Sequence, residues 1–166
     1  FKESPIVDLK DYKNRQGTGE VTLKWAMLQG TDNEANQTFS IGENLKLVFE
    51  LEANGRDSNF TILIQIRSSD GTPICKIFDH YCGFKAQKIT PNSSTISVCF
   101  EDIRFYPDRY FITIRLRDYQ QGLYDLAEDC LSFEIVDGGE LTSMTLNKKD
   151  GLIYMTPHWK YVNQKS

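Results

Sequence analysis

Residues 15–28 read Arg-Gln-Gly-Thr-Gly-Glu-Val-Thr-Leu-Lys-Trp-Ala-Met-Leu, and this stretch decides the fold class. A basic lead punctuated by Gly17 and Gly19 runs into Glu20 and then alternates. Val21, Leu23, Trp25 and Met27 fall on one side; Thr22, Lys24, Ala26 and Leu28 fall on the other. Period two is the pattern of a strand with one face in a core, because successive side chains leave opposite faces of the pleat. The expected buried face is the one carrying Leu23 and Trp25.

The pattern recurs along the chain. Leu45, Leu47, Phe49 and Leu51 mark a second strand, and Phe60, Ile62, Ile64 and Ile66 a third. Asp70-Gly71 is a hairpin turn. It returns the chain through a fourth strand at 73–79, opened by Pro73 as a strand proline should be. Ile96, Val98 and Phe100 point inward from a fifth strand at 94–100. The sixth, Tyr110–Arg117, alternates most clearly: Tyr110, Ile112, Ile114 and Leu116 face one way, Phe111, Thr113, Arg115 and Arg117 the other. A short Leu123–Leu126 piece precedes a seventh strand, Cys130–Val136, with Leu131, Phe133 and Ile135 inward. No helix longer than a turn or two is predicted, so the chain is read as an all-β, antiparallel β-sandwich.

The remainder reads as turns and ends. Residues 1–19 are a linker or loosely attached lead, 20–137 the sandwich, and 138–166 a C-terminal strand region. Turns are expected at Asn54-Gly55 and Gly122, and Asp137-Gly138-Gly139 closes the compact unit. The stretch 80–93 is irregular, yet aromatic for a loop, with Tyr81 and Phe84. Beyond 150, Leu152-Ile-Tyr-Met155 and His158-Trp-Lys-Tyr161 either complete the same sandwich or pair across a dimer.

Composition narrows the class. At 166 residues, 40% hydrophobic and 25% charged, the chain is a globular domain able to bury a core. A net charge of −4 argues against nucleic acid, whose binders carry basic stripes. No apolar run approaches the roughly 18 residues of a membrane span. The absent initiator Met is read as the mark of a piece of a larger cytosolic protein. Cys75, Cys82, Cys99 and Cys130 lack zinc-site spacing and are read as reduced. Three glycosylation-like sequons, at Asn36, Asn59 and Asn92, are short enough to arise by chance.

Catalytic and cofactor patterns are missing. His80 and His158 have no metal spacing, and neither a G-x-S-x-G elbow nor a Walker A loop is present. Gly17-Thr-Gly19 precedes a strand where a phosphate loop requires a helix N-terminus, so it is read as a plain turn. The acidic residues Asp79, Glu101, Asp102, Asp118 and Asp125 are read as solvated, although a glycosidase pair among them would make a processing enzyme. The expectation is no catalytic residue, no metal and no cofactor.

Binding is better motivated. If the third, fourth, sixth and seventh strands share a sheet, as in an immunoglobulin-like sandwich, their outward residues form one array. Gln65, Arg67, Phe111, Thr113, Arg115, Arg117 and Glu134 are the candidate carbohydrate-binding set, with Leu63 and Ser132 beside them. Fork-shaped donors mixed with apolar platforms suit a sugar, which presents hydroxyls on one side and C–H groups on another. The bland alternative is a solvated sheet face with arginine stems lying over their neighbours. Trp25 is read as core, and Trp159 and Tyr161 as core, interface or ligand platform.

Four places carry a family resemblance. They are Arg15-Gln-Gly-Thr-Gly-Glu20 entering Val-Thr-Leu, Phe39-Ser-Ile-Gly-Glu43, Phe105-Tyr-Pro-Asp-Arg-Tyr110, and Asp129–Val136 with the Gly151…Trp159 ending. Together they resemble the Wzt carboxy-terminal family, the C-terminal domain of the ATPase subunit of ABC transporters that export O-antigen polysaccharide. Asp108 or Arg109 stands where that family usually has glycine. The resemblance implies an immunoglobulin-like sandwich that binds the non-reducing end of a finished, lipid-linked glycan and couples chain termination to export. It also implies a homodimer with an exchanged C-terminal strand, an ATPase domain in the same chain, a membrane permease as partner, and a cytoplasmic position at the bacterial inner membrane. The arginines hint at an anionic terminus. A dimerisation module without a ligand is the rival reading.

Overall fold

A computed structural model describes residues 4–54, 60–84, 93–118, 120, 122–138 and 145–162. The strands are β1 (Ile6–Asp8), β2 (Arg15–Gln16), β3 (Val21–Gln29), β4 (Thr38–Ser40) and β5 (Leu45–Ala53). They continue with β6 (Thr61–Ser68), β7 (Pro73–Phe78), β8 (Ser93–Phe100), β9 (Asp108–Asp118) and β10 (Gly122–Val136). Two sheets face each other, one of four strands ordered β1-β3-β5-β8 and one of six ordered β2-β10-β9-β6-β7, with β4 lying parallel on β10. The all-β sandwich is therefore as expected. The expected turn at Gly55, most of the irregular stretch after Tyr81, the sequons at Asn59 and Asn92, and Gly139 fall outside the described residues.

The core comes from the inward residues of both sheets. Leu45, Leu47, Phe49 and Leu51 of β5 meet Ile62, Ile64 and Ile66 of β6 and Ile112, Ile114 and Leu116 of β9, all buried. Tyr110 stacks on Phe133 at 5.4 Å between ring centroids, and Phe39 meets Phe133 edge-on. The Tyr110 hydroxyl donates to the Tyr106 carbonyl at 2.6 Å, four residues upstream. This is the tyrosine corner of immunoglobulin-like sandwiches, and it gives the Tyr106-Pro-Asp-Arg-Tyr110 motif a structural purpose. The Phe39–Glu43 motif is structural too. Gly42 holds φ +90 in a turn, and the Glu43 carboxylate accepts the Ser40 N–H at 2.7 Å.

β3 departs from its expected phase. A bulge between the Leu23 and Trp25 pairings inserts Lys24 as an extra residue, and one extra residue inverts everything after it. Val21, Leu23, Ala26 and Leu28 are buried, whereas Trp25 and Met27 lie on the outer face. Trp25 is thus not a core residue; its indole Nε1 donates to the Glu50 carboxylate across the strand pair.

Residues 4–19 are not loosely attached. β1 pairs with β3, with Ile6 opposite Met27, and β2 pairs with β10. Leu9 is fully buried, and the Tyr12 hydroxyl donates to the Glu128 carbonyl at 2.7 Å. Scattered apolar residues hid this attachment, since three- and two-residue strands have no readable period. At the other side, Leu123–Leu126 and Cys130–Val136 are one strand, β10, broken by two register shifts. Residues 152–154 lie against the 104–106 connector, with the Tyr154 N–H donating to the Arg104 carbonyl at 2.7 Å.

Candidate functional site

β6, β7, β9 and β10 do share one sheet, and the register fixes the order of their outward residues. On β6 and β9, Arg67 stands opposite Phe111, Gln65 opposite Thr113, Leu63 opposite Arg115 and Thr61 opposite Arg117. On the β7 side, Lys76 continues the Gln65 row and Phe78 the Leu63 row. Gln65, Arg67, Phe111, Thr113 and Arg115 are therefore brought together in the middle of the face. Glu134 is not. It pairs with Arg109 and lines a shallow pocket of 60 Å³ with Gln37, Thr38 and Ser132. Arg109 and Arg115 are about 20 Å apart along β9 at about 3.3 Å per residue. Arg117 closes the opposite end of the row.

The centre of the face is organised by Asp129, a residue the sequence reading did not single out. Between the Ala127 and Leu131 pairings β10 bulges opposite Thr113, and Asp129 takes the left-handed conformation at φ 48. The Asp129 N–H donates to Thr113 Oγ1 at 3.0 Å. Its carboxylate accepts both prongs of Arg67, Nε at 2.8 Å and Nη2 at 2.6 Å. The remaining Arg67 nitrogen donates to the Ser68 carbonyl at 3.2 Å, and the guanidinium lies 4.3 Å from the Phe111 ring centroid. Such stacking over an aromatic face adds to the ion pair. The hydrogen bond to Asp129 raises the Arg67 pKa above its ordinary value. Arg67 is thus held by its own chain. The only local sign of this was the acidic pair Glu128-Asp129 interrupting an otherwise apolar run.

Arg115 is the contrast. It is half-buried, with Leu63 on one side and Leu126 on the other, both buried. Its Nε is out of water and has no hydrogen-bond partner. At the β7 edge the face ends in an aromatic shelf. Phe78, His80 and Tyr81 have ring centroids 5.2–5.4 Å apart, Lys76 lies over Phe78, and Tyr81 is exposed. Round the same edge, between the sheets, an apolar cleft of 260 Å³ is lined by Ile62, Ile77, Phe78, Ile96 and Val98. Among the described residues, no three His, Cys, Asp or Glu side chains gather into a metal-ligand set.

The Arg15–Glu20 motif lies away from this face and does structural work. Gly17 sits at φ +130, and a Cβ there would fall 2.3 Å from the Tyr124 carbonyl oxygen. Arg15 reaches the buried Asp125 of β10 with two prongs. The Asp125 carboxylate also accepts the Leu23 N–H at 2.7 Å, and Arg15 donates to the Leu23 carbonyl at 2.7 Å. Both backbone groups of the residue beside the β3 bulge are satisfied in this way, as buried polar groups must be.

Comparison with known proteins agrees with this architecture. The family model described as the Wzt C-terminal domain matches residues 12–153. Among solved structures, the crystal structure of the C-terminal domain of wzt superposes with a TM-score of 0.73 at 9% identity, over 89% of this chain and 87% of that one. The Pseudomonas fluorescens alkylpurine DNA glycosylase AlkC, bound to DNA containing an abasic site analog, reaches 0.46 at 16% identity, over 70% of this chain and 30% of that one. A β-glucosidase from Listeria innocua in complex with glucose reaches 0.39 at 12%, over 66% of this chain and 16% of that one. The first likeness concerns the fold, and the two weaker ones carry no functional information. No curated protein matches the sequence.

Proposed function

Because this chain belongs to the Wzt C-terminal domain family, we propose that it recognises the modified non-reducing end of a lipid-linked O-antigen polysaccharide without catalysing a reaction on it. Recognition couples completion of the glycan to export by the ABC transporter whose ATPase subunit carries the domain. The observation that carries this reading is the outer face of the six-stranded sheet. Amide, hydroxyl and guanidinium groups of Gln65, Thr113 and Arg115 lie there beside the partly exposed rings of Phe111 and Phe78. A sugar offers hydroxyls to the first group and C–H faces to the second. An open sheet face also lets a long polymer leave the site without threading.

On this reading the partners are the polysaccharide, an ATPase domain in the same chain, and a membrane permease. The location is the cytoplasmic side of the bacterial inner membrane. Neither nucleic acid nor bilayer insertion is involved. A homodimer exchanging its C-terminal segment belongs to the same proposal. Met155, Trp159, Tyr161 and Val162 follow the docked residues 152–154 and are 78–91% exposed, more apolar surface than a terminal segment ordinarily leaves in water. That tail also favours the second reading, a dimerisation module with no ligand of its own.

Titration separates the two. The chain is titrated with the full-length polysaccharide of its host and with the same polymer lacking its terminal residue, while backbone amide resonances are followed. End recognition predicts shifts in β6 and β9 with the first polymer only. A spectrum unchanged by both leaves the dimerisation module.

A further inference from the structure

We infer that Tyr12, in the lead that precedes β2, is a positioning residue for the outer face of the six-stranded sheet. Its hydroxyl holds the β10 bulge from which Asp129, and through it Arg67 and Thr113, take their places. The inference rests on the glycan reading above only where binding is concerned; the arrangement of the face is tested without a ligand.

The bulge creates a backbone problem. Between the Ala127–Ile114 and Leu131–Ile112 pairings, Glu128, Asp129 and Cys130 stand opposite Thr113 alone. Residues that leave a ladder need other partners for their N–H and C=O groups. On the β9 side, Thr113 Oγ1 accepts the Asp129 N–H at 3.0 Å. On the β2 side, the lead supplies the rest. The Tyr12 hydroxyl donates to the Glu128 carbonyl at 2.7 Å and is shared with the Asp129 carbonyl at 3.2 Å. The Asn14 carbonyl accepts the Glu128 N–H at 3.5 Å. Burial pushes the Tyr12 pKa up to about 12, so the hydroxyl remains a donor throughout the physiological range.

The two carbonyls that share this hydroxyl belong to the peptide units on either side of the Asp129 Cα. Holding both units holds the Asp129 backbone, which sits at φ 48, a left-handed conformation that few residues other than glycine adopt. That backbone aims the carboxylate across β9 to β6, where Arg67 meets it with Nε at 2.8 Å and Nη2 at 2.6 Å. Relaxation of Asp129 to an extended conformation would swing the carboxylate off Arg67 and withdraw the N–H from Thr113. Both side chains would lose the partner that fixes them, and the face its set spacing of polar groups. Groups fixed before binding cost less entropy to engage.

The test compares Tyr12→Phe with Val7→Ala in the 166-residue chain. Y12F keeps the ring that packs on the core and removes the hydroxyl alone. V7A trims a core-packed side chain of the same lead, in β1, which pairs with β3. Hydrogen exchange of the Asp129 N–H and the Arg67 Nε–H is read by NMR, and affinity for the full-length host polysaccharide is measured alongside. Y12F is expected to speed both exchange rates about fivefold or more, the scale of one lost hydrogen bond, and to weaken binding by a similar factor. V7A should leave exchange and affinity near wild type even if it lowers the melting temperature equally. A merely structural role for Tyr12 would make the two variants alike. Unchanged exchange in Y12F, equal acceleration in V7A, or accelerated exchange with wild-type affinity overturns the inference and leaves the glycan reading standing. If the wild-type chain does not bind the polymer, the glycan reading fails and the exchange rates alone decide whether Tyr12 positions the face.

Discussion

Arg15 of β2 holds Asp125 of the neighbouring strand β10, Nε to Oδ1 at 2.8 Å and Nη2 to Oδ2 at 2.5 Å, with the aspartate side chain only 3% exposed. Removing the cation leaves a carboxylate in the core with the Leu23 N–H as its remaining partner. Arg15→Met is expected to cost about 3–5 kcal/mol in urea unfolding, the range for breaking a buried pair. Adding Asp125→Asn to that variant removes the stranded charge but keeps an acceptor for Leu23. The double variant should therefore recover at least about 1 kcal/mol, a non-additivity diagnostic of direct coupling. Equal losses in the single and double variants would mean that the pair contributes by packing alone.

Gly17 offers a test of the motif that superficially resembled a phosphate loop. A Cβ at this position meets three backbone atoms of Tyr124 and Asp125 within 2.8 Å, and φ is +130. Backbone atoms cannot swing aside. Gly17→Ala should lose about 1–3 kcal/mol from conformation, and more from the displacement of β10. Gly71→Ala, at φ +88 with open space around it, is the control and should lose only about 1 kcal/mol. Similar melting temperatures for the two variants would remove the close approach as the reason for glycine.

The four thiols should sort by burial. Cys82 and Cys99 are exposed, Cys75 is half-buried, and Cys130 is buried with its thiol pushed up to about 12 by loss of hydration. Burial raises Cys75 as well. Because the thiolate is the reactive form, a chromogenic disulfide reagent at pH 8 is expected to modify Cys82 and Cys99 quickly. The other two should appear only in urea. Mass spectrometry of the labelled peptides checks the assignment, and early labelling of Cys130 would contradict it.

Stability should fall on the acid side. Hydrogen bonds from the Ser68 and Thr72 side chains and the Thr72 N–H hold Asp70 well below the usual carboxylate range. Burial would raise Asp108, but hydrogen bonds from Ser69, the Arg109 N–H and Lys148 outweigh it and lower its pKa. Both folded values lie below the unfolded value of about 3.9, so their stabilisation is complete above about pH 5 and is lost as pH falls through the folded values. The urea midpoint is expected to be flat from pH 7 to 5 and to drop below about pH 4. Asp108→Asn should make that drop shallower, whereas an unchanged slope would assign it to other carboxylates. Lys148 donates to Asp108 and to Ser69, so the same variant should loosen the C-terminal segment from the β6–β7 turn.

The shared sheet was legible because β6 and β9 keep strict alternation, and alternation identifies which residues face outward together. Gln65, Thr113 and Arg115 follow from that parity alone. The pairing of Arg67 with Asp129 does not. It depends on Asp129, which reaches the face through a bulge and lies 62 positions from Arg67.

By itself the sequence determined the all-β class, the inward residues of β5, β6 and β9, and the family, because these rest on local period and ordered motifs. Only the tertiary structure decided that Trp25 faces outward, that residues 4–16 are stitched into both sheets, and that the Arg115 Nε is buried without a hydrogen-bond partner. Each has its own physical reason. A bulge inverts strand parity by one residue without altering composition, and short edge strands have no period to read. The partner that neutralises a charge, such as Asp125 for Arg15 across 110 positions, is chosen by the folded chain and not by its neighbours in sequence.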